Sequence, residues 1–180
     1  MAVLVEAISV VIRADRLIER YPGGWRAFVR GVPNATMCAD GEVVRVGFMS
    51  PDDVKAYVDE LAAVGMVYLD GGKAVDLVVI DQLRGPAVPC DWIEFGHISL
   101  DGDESRKVAA CRLVDSAVAE CVMPDGWTFA ESLSRTHSFI RTEHVDKATE
   151  KIREDDDLDV YRNRLTGGEM FVGRPLKRDR

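Results

Sequence analysis

The chain carries little that would mark chemistry by motif. Its 180 residues hold four cysteines, Cys38, Cys90, Cys111 and Cys121, with no CxxC pair among them, and the three histidines, His97, His137 and His144, share no ligand spacing. Structural and catalytic zinc sites depend on such short spacings, so no metal is expected. Four cysteines allow three disulfide pairings, but a chain of this size does not depend on staples, and packed free thiols are the expectation. Phosphate loops, dinucleotide fingerprints and nucleophile motifs are missing too, which leaves no cofactor to expect. No apolar run approaches the roughly 18 residues of a membrane span. The longest, residues 3–12, is broken by Glu6 and Ser9 and has no basic segment ahead of it, so it does not read as a secretory signal. Without secretion, Asn34-Ala35-Thr36 is a chance match to a glycosylation acceptor. A cytoplasmic protein is expected.

What is present is an ordinary core-forming composition. Hydrophobic residues make up 47% and charged residues 30%, enough apolar side chain to bury a sizeable core. The net charge of −8 is uneven, because Arg162, Arg164, Arg174, Lys177, Arg178 and Arg180 gather at the C-terminal end and leave the remainder more acidic still. An acidic body repels nucleic acid and attracts basic partners. Neither nucleic acid nor membrane is therefore an expected partner.

Along the chain, residues 2–12 are rich in Val and Ile and suit one central strand. Residues 14–20 continue as a helix with Leu17 and Ile18 inward, until Tyr21-Pro22-Gly23-Gly24 breaks it ahead of a second helix bearing Trp25, Phe28 and Val29. Asp40-Gly41 marks a hairpin. Ser50-Pro51-Asp52-Asp53 then combines an N-cap serine, a first-turn proline and early carboxylates, followed by Val54, Tyr57, Val58 and Leu61 at helical spacing and by Gly65 as terminator. A further hairpin turns at residues 70–73. Residues 1–82 thus predict an α+β fold of split β-α-β, ferredoxin-like order, with one extra strand. Residues 83–89, with two prolines and a glycine, read as a linker. Residues 90–174 then read as a second α+β region. It has strands at 92–100 and 107–114, one or two helices (Phe129, Leu133, Phe139 and Ile140 fit one loosely; Val145, Ala148 and Ile152 fit another), an acidic run at 154–157 and a terminal strand at 169–172. Residues 175–180 read as a frayed basic tail.

The best candidate cluster joins the linker to the strand it feeds. On a strand, Trp92, Glu94, Gly96 and Ile98 share one face, while Ile93, Phe95, His97 and Ser99 share the other. Glu94 beside Trp92 suits a cleft for a cationic or polar ligand, and Asp81 and Arg84 stand where they can reach it. His97 reads as a core histidine, Cys90 as a packed thiol, and Trp25 and Trp127 as plugs at domain edges. The leading expectation is a non-catalytic binding protein that recognises a small polar ligand or a protein partner at the junction of its halves through Asp81, Arg84, Trp92 and Glu94. The alternative is a small enzyme with Glu94 or Asp81 as general base and Arg84 holding an anionic substrate. An acidic inhibitor of a basic partner, of the immunity or antitoxin kind, is a third.

Overall fold

A computed structural model describes residues 1–117, 120–136, 149–154, 158–163 and 169–173. It is a mixed α+β architecture, and its first departure from expectation is at the N-terminus. The single strand expected over residues 2–12 is two strands, β1 (Ala2–Val5) and β2 (Ile8–Arg13), in different sheets. The cause is Ala7, held at φ 49°. A left-handed conformation costs a residue with a Cβ roughly 1–2 kcal/mol, and here buried Gln82 holds it from both sides. The Ala7 N–H donates to Gln82 Oε1 at 2.8 Å, and the Gln82 N–H donates to the Ala7 carbonyl at 2.9 Å.

Two short helices follow, α1 (Ala14–Arg20) and α2 (Gly24–Gly31), parted at the expected break. Gly23 sits at φ 81°, where a Cβ would lie 2.7 Å from that of Ala27, so only glycine fits. Ala14, Leu17 and Tyr21 form the inward stripe of this segment, which leaves Ile18 turned outward at 61% exposure, a correction to its expected place inside. Of the three apolar residues expected on one face of α2, Phe28 is buried while Trp25 and Val29 stay partly exposed. Next come β3 (Cys38–Ala39) and β4 (Val43–Phe48), whose turn is closed by Asp40 Oδ1 accepting from the backbone of Glu42 and Val43, each at 2.9 Å.

Helix α3 (Pro51–Ala63) starts where its cap residues require, with Ser50 Oγ accepting from the Asp52 N–H at 3.2 Å. Ser50→Ala is expected to lower stability by about 0.5–2 kcal/mol. A urea midpoint unchanged by the substitution would remove Ser50 from that role.

After the small hairpin β5 (Leu69–Asp70) and β6 (Lys73–Ala74), strand β7 (Leu77–Asp81) completes a five-stranded antiparallel sheet of order β3-β4-β2-β7-β8. Its edge strand β8 (Gly85–Pro86) comes from the segment expected to be a linker, so Gly85 and Pro86 take part in the sheet. Alternation then builds two apolar layers. Val10, Ile12, Val44, Val46 and Phe48 face Leu17, Phe28, Val54, Tyr57 and Leu61 of the helices. Val11, Val43, Val78 and Ile80 are buried on the opposite face.

That opposite face is covered by a second sheet, of order β11-β1-β10-β9, made of β9 (Ile93–Ser99), β10 (Lys107–Leu113), β11 (Cys121–Val122) and β1. The expected second β region is therefore completed by the N-terminal strand, with β1 lying between β10 and β11. Met1–Thr128 forms one compact unit. The other, Phe129–Arg180, contains a 3-10 turn at Phe129–Glu131, α4 (Leu133–Thr136), and a three-stranded antiparallel meander of β12 (Thr149–Glu154), β13 (Leu158–Asn163) and β14 (Glu169–Gly173). Ile152 lies on a strand rather than on the expected helix, and the terminal strand stands as expected. Phe139, Ile140, Val145, residues 155–157 of the acidic run and the basic tail at 175–180 fall outside the described residues.

Candidate functional site

The four residues singled out from sequence separate into distinct local environments. Asp81 ends β7 and closes the turn after it: its Oδ1 accepts from the N–H of Leu83 and of Arg84, each at 2.9 Å. This is an Asx-type turn, a local structural use of the carboxylate. Arg84 is exposed on that turn. Trp92 precedes β9 and is buried, its indole Nε1 donating to the Ala74 carbonyl at 3.2 Å, with the Arg13 guanidinium 5.9 Å from its ring centroid. The Trp92 carbonyl still accepts from the Val114 N–H at 3.0 Å, so the hairpin pairing reaches it, but its indole is committed to Ala74.

Glu94 is exposed on β9 and engaged by β10. Arg112 Nε donates to Glu94 Oε2 at 2.7 Å, the Arg112 Nη2 amino group reaches the same oxygen, and Nη1 donates to the Ser116 carbonyl at 2.8 Å. The β9–β10 hairpin register places Arg112 directly opposite Glu94 and Ala110 opposite Gly96. Arg112 was the residue missed, and the signal was available: counting outward from the turn at residues 100–106 brings it to Glu94. The structure thus joins Asp81 to Arg84 and Glu94 to Arg112, and no hydrogen bond or ion pair among the described residues links the two pairs.

Beside Glu94 the second sheet carries an open groove of about 270 Å³ on the face turned away from the five-stranded sheet. Its floor comes from three residues with almost no side chain, Ala2 of β1, Gly96 of β9 and Ala110 of β10, with the Glu94–Arg112 pair at one end and Ile98 at the other. A Cβ built on Gly96 meets nothing within 4 Å, and its backbone is not left-handed. The space exists because Ala110 and Gly96 stand side by side on β10 and β9, while Ala2, two positions along β1 from Ala110's partner Leu4, adds a third small residue beside the Glu94–Arg112 row.

Other groups offer less. His97, expected in the core, is exposed, its ring edge-on to Phe95 with centroids 5.5 Å apart, and partial burial lowers its pKa. All four cysteines are free thiols. Burial pushes Cys38 up to about 11 and Cys121 up to about 12, and raises Cys111 and Cys90 as well. Nucleophilic cysteines need the opposite shift. Trp127, half-buried, donates from Nε1 to Glu6 Oε2 at 3.1 Å and so anchors the chain end of its unit. No helix among the described residues is long and apolar enough to cross a membrane. Set against protein-family models, curated proteins and solved structures, the chain matches none.

Proposed function

We propose that this chain is a binding protein that takes a small polar ligand in the groove beside Glu94 and Arg112, on the face shared by the N-terminal strand and the later β9–β10 hairpin. The observation that carries the reading is a floor of Ala2, Gly96 and Ala110 next to a paired carboxylate and guanidinium. Small residues leave room for a ligand's body, and the ion pair offers an acceptor oxygen and fixed donors at one end. A ligand bearing both a donor and an acceptor, such as an amide or an amino-acid zwitterion, fits that end. For the domain, the ferredoxin-like reading is supported by the order β3-β4-β2-β7, in which the strand preceding α1 and the one following α3 lie side by side and all pairs are antiparallel.

Gly96→Val tests the site. Valine suits a strand, and its Cβ enters open space, so the fold and its melting temperature are expected to hold while the groove fills. In a backbone-amide NMR titration with amino acids and primary amides, ligands that shift Gly96 and Ala110 in the wild type are expected to lose their effect in Gly96→Val. Shifts elsewhere, or equal binding by both proteins, would refute the reading.

A protein partner is the second reading, favoured by the position of β9 at the edge of its sheet with Glu94, Gly96 and His97 exposed. Edge strands can accept a strand from another chain through their free backbone groups. Such a partner would tolerate Gly96→Val, whereas a groove ligand would not.

A further inference from the structure

The Glu94–Arg112 pair keeps unused bonding capacity on both of its partners. Glu94 Oε2 takes the bonds from Arg112 Nε and Nη2, which leaves Oε1 without a partner among the described residues, on a side chain 47% exposed. Three of the five guanidinium N–H groups are engaged, two by Glu94 and one by the Ser116 carbonyl, so one remains on each terminal nitrogen. Those bonds tie the guanidinium to β9 and to the segment after β10 at once, so the remaining donors are held in place.

A head group at this end of the groove meets a carboxylate oxygen and guanidinium N–H groups together. A lone cation would face Arg112 as well as Glu94, and a lone anion would face Glu94 as well as Arg112, so each attraction is offset by a like charge beside it. A head with both charges on neighbouring atoms satisfies both partners. Its hydrogen bonds are charge-assisted, roughly twice as strong as those of a neutral amide. The ammonium and carboxylate of a free α-amino acid form such a head, whereas a peptide carries its two charges at opposite ends.

The rest of the groove selects the side chain. On one face of a strand, Gly96 lies about 7 Å and Ile98 about 13 Å along β9 from Glu94. Gly96 and its neighbour Ala110 offer only backbone and a methyl group, and half-buried Ile98 closes the far end. His97 belongs to the opposite face of the strand. Apart from Glu94 and Arg112, no Asp, Glu, Lys or Arg among the described residues lines the groove. A side chain the size of leucine passes over Gly96 toward Ile98 and buries apolar surface there. Glycine covers none of it, and a charged side chain would lose water without gaining a partner.

We infer that the groove binds a free α-amino acid with an apolar side chain, its ammonium on Glu94 Oε1, its carboxylate on the two remaining Arg112 N–H groups and its side chain over Gly96 against Ile98. This rests on the small-ligand reading above and narrows it to one class.

Backbone-amide NMR titration of the full chain, read at Gly96 and Ala110, tests it with L-leucine, glycine, N-acetyl-L-leucine and L-leucinamide. Leucine is expected to bind at least about tenfold more tightly than each of the others. Glycine lacks the side chain, N-acetyl-leucine the ammonium and leucinamide the carboxylate. Glu94→Gln keeps the shape and an acceptor for Arg112 but removes the negative charge. It should weaken leucine by about tenfold and strengthen N-acetyl-leucine, an inversion that misfolding would not produce. Ile98→Ala should weaken leucine and leave glycine unchanged. Glycine, leucinamide or N-acetyl-leucine binding as tightly as leucine, with shifts that Gly96→Val abolishes, would overturn the inference and leave the groove reading in place. So would shifts at Gly96 and Ala110 caused by acetamide but not by leucine. Silence at both positions with leucine and acetamide alike would remove the groove reading as well.

Discussion

Asp76→Ala is expected to destabilise the protein by about 2–4 kcal/mol. The Asp76 side chain is 0% exposed, and Oδ2 accepts from the Val67 N–H at 2.7 Å and from Arg20 at 3.0 Å, while Arg16 Nε stands 3.9 Å from Oδ1. Its backbone is also committed, donating to the Val67 carbonyl at 2.8 Å and accepting from the Arg13 N–H at 2.9 Å. One residue thus ties α1 to the segment entering β7. Truncation strands a backbone N–H and leaves two guanidinium groups facing an apolar site. Removing one member of a fully buried ion pair costs about 3–5 kcal/mol, but Arg16 and Arg20 are about a third exposed and can turn to water, which sets the lower range. Asp76→Asn keeps an acceptor for Val67 and should cost less than Asp76→Ala. Urea denaturation of the two variants checks this order. Equal losses would place the effect in charge alone rather than in the bond to Val67.

Asp76 also illustrates what could be read from the sequence. As an interruption of the apolar run over residues 75–80 it is conspicuous, yet nothing in the run names Arg20 or Val67 as its partners. Features set within a few residues were legible: the Ser50 cap, the glycine break between α1 and α2, the Asp40-Gly41 turn and the β9–β10 hairpin. Each depends on short-range sterics and hydrogen bonds. Features set by distant partners were not. Residues 2–12 keep strand-like composition throughout, because the break at Ala7 is imposed by Gln82, 75 positions away. Ile18 and Ile152 are apolar at helix-compatible spacing, but spacing does not say which stripe meets a core or whether a sheet will claim the segment. The candidate site divides in the same way. Glu94 was singled out, its partner Arg112 follows from hairpin counting, and the empty floor depends on β1 bringing Ala2 beside a hairpin a hundred residues later. Trp92 is buried with its indole on the Ala74 carbonyl, a partner eighteen positions away that strand spacing does not name.

Arg45→Leu should be the most damaging single substitution, at about 3–5 kcal/mol. Arg45 lies between the two sheets at 3% exposure, on the same strand as Val44 and Val46 but facing the opposite way. Burial depresses its pKa, opposed by the electrostatic influence of Cys38, Glu6 and Cys111. Three hydrogen bonds offset that cost: Nε to Ser9 Oγ at 2.8 Å, Nη1 to the Thr36 carbonyl at 2.9 Å and Nη2 to the Glu6 carbonyl at 2.8 Å. A buried ion can be replaced by an apolar residue at little cost when its partners are replaced too. Here two of the partners are backbone carbonyls, which no substitution removes, so leucine leaves them without this donor. Arg45→Lys keeps the charge, but one ammonium cannot serve three acceptors spread around a planar fork, and an intermediate loss is expected. Gly47 supplies an independent check. A Cβ there would lie 2.4 Å from Arg45 Nη2, so Gly47→Ala should destabilise by displacing the guanidinium. Combined with Arg45→Leu, Gly47→Ala should then cost much less than it does alone, because the group it displaces is gone. Strict additivity in that double-mutant cycle, or an Arg45→Leu variant as stable as the parent, would show that the guanidinium does not hold the two sheets together.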